Sequence, residues 1–348
     1  MQVQRIDNQR PAAKGLVTVK LCGNVIEVRH CAHGPPEMVI QKLNEDEYLN
    51  LRTGAVEQFH HTANRAENIT SVSQSLRNLR DIINANLTDP EMALWVTLTY
   101  KENMKDTQRL YEDFHAFIKR FRRYLKREGH PPAEYIAAAE PQGRGAWHLH
   151  CLFLFSGKAP FIPNSDMARI WGHGFTKTKS LKGVDNPGLY LTAYLGDMEL
   201  TEAVNAGHFK AGRLGESKDK SKAVIKGARL HLYPSGFNLY RCSRGVKRPE
   251  VWQTTEQAAQ KIIGTAPLTY EKTIALTDSE GQTINVINYR QYNRARAEKQ
   301  AGKATAGQVD EAEAGTGDSG AKSKNGAAKP TLPLTPKNPM SVPQNTPF

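Results

Sequence analysis

The stretch that most constrains this chain is Trp147-His148-Leu149-His150-Cys151-Leu152-Phe153-Leu154-Phe155. From His148 on it is a short run rich in apolar residues, which predicts a strand over 148–155. Side chains alternate along a strand, so His148 and His150 point to one face and Leu149 to the other. Upstream, Tyr135 to Ala139 has the same character and ends in the carboxylate of Glu140. The intervening Pro141-Gln142-Gly143-Arg144-Gly145 reads as a hairpin turn, which returns Glu140 to the side of the histidine strand. Two imidazoles on one side of a rigid strand can hold a divalent ion and leave positions open for a substrate oxygen. Adding a carboxylate suits Mn²⁺ or Mg²⁺ acting on a phosphate better than a closed zinc site. Taken alone, the same residues also fit a packed histidine pair beside a solvated turn carboxylate.

Further along, Pro187-Gly188-Leu189-Tyr190-Leu191-Thr192-Ala193-Tyr194-Leu195-Gly196 reads as a short helix after a Pro-Gly break. Tyr190 and Tyr194 are four apart and share a side. Tyrosines at this spacing commonly serve packing. Beside a metal-bound phosphate, however, a phenol can act as a nucleophile.

Three motifs occur in a fixed order: Leu94-Trp95-Val96-Thr97-Leu98-Thr99-Tyr100, then Gly145-Ala146-Trp147-His148-Leu149-His150, then Tyr190-Leu191-Thr192-Ala193-Tyr194. Over about residues 60–250 the chain resembles the HUH endonucleases. Within them it resembles the rolling-circle replication initiators of plasmids and filamentous phages of the gene II type. The resemblance implies an α+β fold: an HUH-type central antiparallel sheet of about five strands flanked by helices. It implies that His148, His150 and Glu140 hold Mn²⁺ or Mg²⁺, and that the substrate is single-stranded or extruded origin DNA. Tyr194 would attack phosphorus, leaving a 5′-phosphotyrosine and a free 3′-hydroxyl for a host polymerase, with a host helicase as further partner. Tyr194 ranks first because related initiators with one tyrosine keep the second position of this spacing. Tyr190 would act in a second transfer or position the DNA. Thr97, Thr99, Arg144 and Trp147 are the candidate DNA contacts near the motifs, although Thr97 and Thr99 also suit a strand simply as β-branched residues. Relatives often carry lysine just before the second tyrosine and three residues after it. Here those places hold Ala193 and Asp197, and Lys210, Lys218 or Arg144 are candidate substitutes.

Other readings share some of these motifs. An HUH relaxase or transposase would use the same chemistry, but the central motif lacks the third histidine of a relaxase. A non-catalytic origin-binding protein would keep the fold without the reaction. A metal phosphodiesterase using water would release both DNA ends free.

The net charge of +12 favours a polyanionic partner. No apolar run approaches the ~18 residues of a membrane span. Met1 to Arg5 leads into polar sequence, so no signal peptide is expected. The four cysteines, Cys22, Cys31, Cys151 and Cys242, are scattered without a Cys-x-x-Cys, which fits a reducing cytoplasm, and the resemblance implies a bacterial plasmid or other mobile element as the source. Cys22, His30, Cys31 and His33 match no zinc spacing. There is no Gly-x-x-x-x-Gly-Lys-Ser/Thr loop, which argues against a nucleotide-driven helicase in this chain.

In chain order, residues 1–60 are expected to form a small β-rich appendage, with a hairpin of Leu16–Leu21 and Val25–Arg29. Residues 61–250 are the expected catalytic domain, 251–294 an extension of helix and strands, and 295–348 a disordered tail poor in large apolar residues. Within the catalytic region a helix is predicted over 67–87, with Val72, Leu76, Leu79 and Ile83 on one face. A second is predicted over 105–128, with Leu110, Phe114, Phe117, Ile118, Phe121 and Leu125 as its buried stripe. Six of the nine residues from Lys119 to Arg127 are Lys or Arg. Cations near a helix C-terminus are stabilising in any protein, and Lys119, Arg122 and Arg123 are also candidates for a phosphate-facing surface. His173, between glycines, reads as a turn residue. Short strands are expected at Leu230–Tyr233 and Phe237–Cys242.

Overall fold

The computed structural model describes residues 2–34, 39–192, 195, 198–199, 214–216, 223–225 and 227–297. The expected tail lies outside the described residues from 298 onward, as do Ala193, Tyr194, Asp197, Lys210 and Lys218. In order, the elements are β1 (Gln2–Ile6), β2 (Leu16–Cys22), β3 (Val25–Cys31), β4 (Ile40–Lys42), β5 (Glu47–Asn50), β6 (Val56–Gln58), α1 (Ile69–Asn86), β7 (Ala93–Thr99), α2 (Thr107–Arg127), β8 (Ala133–Pro141), β9 (Trp147–Phe155), α3 (Asn164–Trp171), β10 (Thr176–Lys179) and α4 (Pro187–Thr192). They continue with β11 (Met198–Glu199), β12 (Leu214–Glu216), β13 (Ala223–Ile225), β14 (Tyr240–Cys242), β15 (Glu250–Thr255), α5 (Glu256–Ile263), β16 (Leu268–Thr277) and β17 (Thr283–Asn293).

The expected α+β class is what the chain adopts. Its centre is a five-stranded sheet in the order β10-β7-β9-β8-β14, with every pairing antiparallel. One face carries Val96, Leu98, Leu149, Cys151 and Phe153, and α2 covers it with Leu110, Phe114, Phe117, Ile118, Phe121 and Leu125. The apolar stripe read from the sequence is therefore the buried one, and Phe121 packs 4.6 Å from Phe153. Each such side chain contributes roughly 1.5–3 kcal/mol by leaving water. The helix starts at Asp106, whose carboxylate accepts from the amides of Gln108 and Arg109 at 2.8 and 3.1 Å. The opposite face carries Trp95, Ile136, Ala138, Leu152 and Leu154, and is covered in part by α1, through Leu79, Ile82 and Ile83, and by Leu191 of α4.

A second, six-stranded sheet has the order β1-β16-β17-β3-β2-β15. The hairpin expected at 16–29 is present as β2 and β3, but its outer neighbours are β15 and β17. Strands β1–β3 and β15–β17 thus share one sheet, whereas β4, β5 and β6 form a separate one of three strands. The six-stranded sheet is tied to α1 by Lys20, whose ammonium lies 2.5 Å from both Asp81 and Glu27, and by Arg80, 2.9 Å from Glu27. Two expectations need correction locally. Leu230–Leu232 is a turn of 3-10 helix rather than a strand, preceded by Gly227 at φ 71°. His173 does more than turn the chain, since its ring packs on Trp171 and Tyr100 and lies 3.5 Å from Asp113.

Candidate metal centre

The β8–β9 hairpin builds the site. Its register places Glu140 opposite His148 and Pro141 opposite Trp147. The turn closes with the Gln142 amide donating to the Ala146 carbonyl at 2.8 Å, and Gly145 takes φ 83°, a conformation side chains disfavour. Because His148 and His150 share a face, both reach the Glu140 carboxylate: their Nε2 atoms lie 3.2 and 2.8 Å from Oε2. Donor atoms of Glu140, His148 and His150 all fall within 4.8 Å of one another, and this is the one such group of three or more His, Cys, Asp or Glu among the described residues. Cys22, His30, Cys31 and His33 form no such group; His30 and His33 instead bond through Nδ1 to the carbonyls of Leu16 and Ile284, both at 2.9 Å.

The electrostatics suit a cation. Glu140 is only 5% exposed. Burial alone would push its carboxyl up, but hydrogen bonds from His148 and His150, together with the charge of Arg229, hold it well below the usual carboxylate range. Burial, reinforced by His150 beside it, keeps the His148 imidazole below its ordinary value despite the carboxylate, so it is available as a neutral ligand. His150 is oriented by its other nitrogen: Nδ1 lies 3.2 Å from the Thr97 hydroxyl, on the neighbouring strand. Trp95 stacks parallel on the same imidazole at 5.5 Å. A hydrogen-bond partner on the remote ring nitrogen is what sets the orientation of a metal-ligating histidine.

Arg229 is the site residue that sequence reasoning did not single out. Its guanidinium pairs with Oε1 of Glu140, the oxygen turned away from the histidines. The segment that carries it is pinned by Tyr233, whose buried hydroxyl donates to the Ala139 carbonyl at 3.0 Å, and by Phe237, stacked 4.7 Å from Trp147. Burial, with Glu140 nearby, pushes the Tyr233 phenol well above its ordinary value, so Tyr233 is a structural tyrosine.

The candidate DNA contacts separate into three groups. Thr97 and Thr99 lie on the histidine face, opposite His150 and His148 in register. Arg144 sits exposed in the hairpin turn, bonded to the Gln142 side chain at 3.1 Å. Trp147 requires correction: it is 2% exposed, points to the α2 side of the sheet and donates its indole N–H to the Lys105 carbonyl at 3.0 Å, so it packs rather than meets DNA. Lys119, Arg122 and Arg123 are carried on α2, which covers the face opposite the histidines, so the structure does not bring them to the cluster.

Tyr190, on α4, lies on the histidine side of the sheet, half-buried against the cluster that includes Trp95 and Leu152. The start of α4 is held closely. The Gly188 amide donates to Asn84 Oδ1 at 2.7 Å and the Asn84 amide donates to Asn186 Oδ1 at 2.9 Å, all within the protein interior. Asp185, just ahead, accepts from Asn293 at its carbonyl, 2.9 Å, and from Arg296 at its carboxylate, 2.7 Å. Helix α1 and the end of β17, with the residue three positions beyond it, therefore anchor the segment leading into the tyrosine helix.

Searches of the curated proteins and of the solved structures found no match. Residues 93–199, just under a third of the chain, match the family model of the replication-associated protein of the ORF2/gene II protein type, and that stretch runs from β7 through the histidine hairpin to α4 and β11. The match and the Glu-His-His cluster together support a replication initiator of the gene II protein type, a DNA-binding protein with a nuclease-type centre.

Proposed function

We propose that this chain initiates rolling-circle DNA replication as an HUH-type endonuclease, nicking and rejoining single-stranded or extruded origin DNA. The observation that carries the reading is the Glu140–His148–His150 cluster on one sheet face, with the helix bearing Tyr190 on that same face. His148 Nε2, His150 Nε2 and Glu140 Oε2 would hold Mn²⁺ or Mg²⁺. Such an ion supplies Lewis-acid polarisation of a phosphoryl oxygen.

Tyr194 is the proposed nucleophile and Tyr190 the second phenol. The phenol oxygen forms a bond to phosphorus as the bond to the 3′-oxygen breaks; the phenol gives up its proton and the leaving oxygen gains one. The products are a 5′-phosphotyrosine and a free 3′-hydroxyl. Since an ester replaces an ester, the reverse attack by a 3′-hydroxyl reseals the strand. Thr97 orients His150 during this cycle, and Arg229 keeps Glu140 turned toward the histidines.

The test is incubation with Mn²⁺ and labelled single-stranded oligonucleotides tiled across the replicon that encodes the chain, followed by denaturing electrophoresis and peptide mapping. A covalent adduct that persists in Y190F and vanishes in Y194F is expected. Cleavage with both ends free would instead establish a water-using phosphodiesterase, and binding without cleavage would establish an origin-binding protein.

A further inference from the structure

One edge of the five-stranded sheet is β10, and its register with β7 places Lys177 opposite Thr97 and Lys179 opposite Trp95. Residues directly opposite in a sheet share a face. Since Thr97 in turn lies opposite His150, both lysines project on the histidine side. Phe175 has the same parity, and its carbonyl accepts from the Thr99 amide at 2.8 Å, which sets it beside Thr99 and His148. Thr176, of opposite parity, is buried on the far side, where its hydroxyl donates to Asn164 Oδ1 at 3.0 Å. Rows of side chains thus cross the sheet, one from Glu140 through His148 and Thr99 to Phe175, the next from His150 through Thr97 to Lys177. With strands ~4.8 Å apart, the backbone of Lys177 stands roughly 10 Å from that of His150.

Phe175 is 62% exposed. Both lysines are exposed, and among the described residues neither has a carboxylate partner. Lysines on an edge strand also discourage unwanted pairing between sheets. That role leaves an exposed phenylalanine beside them unexplained, whereas stacking of a base on an aromatic ring and attraction of phosphates to cations explain all three.

We propose that Phe175, Lys177 and Lys179 form a subsite for the single-stranded DNA that flanks the scissile phosphate, with a base stacked on Phe175 and backbone phosphates against the lysines. The proposal rests on the reading of the Glu-His-His centre as one that acts on single-stranded DNA. Stacking on a phenyl ring and charge attraction are indifferent to base identity, so this subsite adds affinity and direction rather than sequence choice.

The test uses the full chain and fluorescently labelled single-stranded oligonucleotides, read by anisotropy without added metal so that cleavage plays no part. F175A is expected to weaken binding roughly ten-fold, and F175W to retain it. K177Q/K179Q is expected to reduce the salt slope of log K by ~0.7 for each phosphate no longer neutralised. Melting temperatures should be unchanged, since all three side chains are exposed. Wild-type affinity and salt slope in F175A and K177Q/K179Q would overturn the proposal, as would an equal loss of duplex binding, which marks a general basic surface. If the variants lose single-strand binding while wild-type protein forms no tyrosine adduct, the subsite stands and only the nicking reading falls.

Discussion

Arg229 pairs with one oxygen of Glu140 while the other oxygen of that carboxylate faces the Nε2 atoms of His148 and His150. The guanidinium therefore fixes the rotation of the carboxylate and offsets part of its charge. Outer-shell partners of this kind are typically worth roughly 10–100-fold in metal affinity or activity. We expect R229A to weaken Mn²⁺ binding by about that range and R229K to fall between, since lysine keeps the charge but lacks the planar fork. Calorimetric titration of the DNA-free protein reads this directly. A well-folded R229A with wild-type Mn²⁺ affinity would refute the role.

The ligands themselves make a sharper prediction. A ligand that binds only the native state stabilises it by about 2.7 kcal/mol at about 100 times its Kd. Saturating Mn²⁺ should therefore raise the melting temperature of the wild-type protein, and EDTA should reverse the rise. H148A and H150A should each lose it, whereas Y190F, which leaves the donor set intact, should keep it. Differential scanning fluorimetry distinguishes these outcomes. An Mn²⁺ shift that survives in H148A/H150A would place the ion elsewhere.

Placement of the tyrosine helix should depend on residues far from the cluster in sequence. Asn84 satisfies the buried Gly188 amide. Its loss leaves that donor unpaired, at a cost of roughly 1–3 kcal/mol. A Cβ added at Gly188 would collide with the Arg80 carbonyl oxygen, so G188A must push α4 off α1. We expect both N84A and G188A to slow adduct formation more than they weaken DNA binding, with G188A the more severe. Equal losses in the two measurements would mean that the clamp serves stability alone.

Much of this site was legible because it is local. The Glu140–His148 pairing follows from turn chemistry between two apolar runs, and the shared face of His148 and His150 follows from strand parity. The same parity puts Trp147 with Leu149 on the other face, so its burial could have been read from spacing; proximity to the motif misled the assignment to DNA. Arg229 was not legible. It reaches Glu140 across 89 positions of sequence and sits in a lysine- and arginine-rich stretch where no residue stands out. Nor does any periodicity announce that β1 pairs with β16, or β2 with β15, since such partners are chosen by the tertiary fold. The α2 stripe was readable as a helix face, but which sheet face it covers, and hence where Lys119, Arg122 and Arg123 end up, was not.

The six-stranded sheet contains its own test of stability. Arg290 on β17 is buried and holds Glu256, at the start of α5, through paired bonds of 2.5 and 2.6 Å. Burial alone would raise the Glu256 pKa, but the bonds from Arg290 and Gln260 and the charge of Arg290 bring it below the ordinary carboxylate value. A carboxyl whose pKa is lower in the folded than in the unfolded state contributes stability that is complete above its unfolded value of about 4.3 and is lost as pH falls through the folded value. Removing one partner of a buried pair costs roughly 3–5 kcal/mol because the other charge is stranded. We therefore expect E256Q to be less stable than wild type by about that amount at neutral pH, with the gap narrowing below about pH 4 as the wild-type carboxyl takes up its proton. Urea unfolding followed from about pH 3 to about pH 7 measures both curves. A gap that stays constant across that range would show that the pair's contribution does not depend on the charge of Glu256.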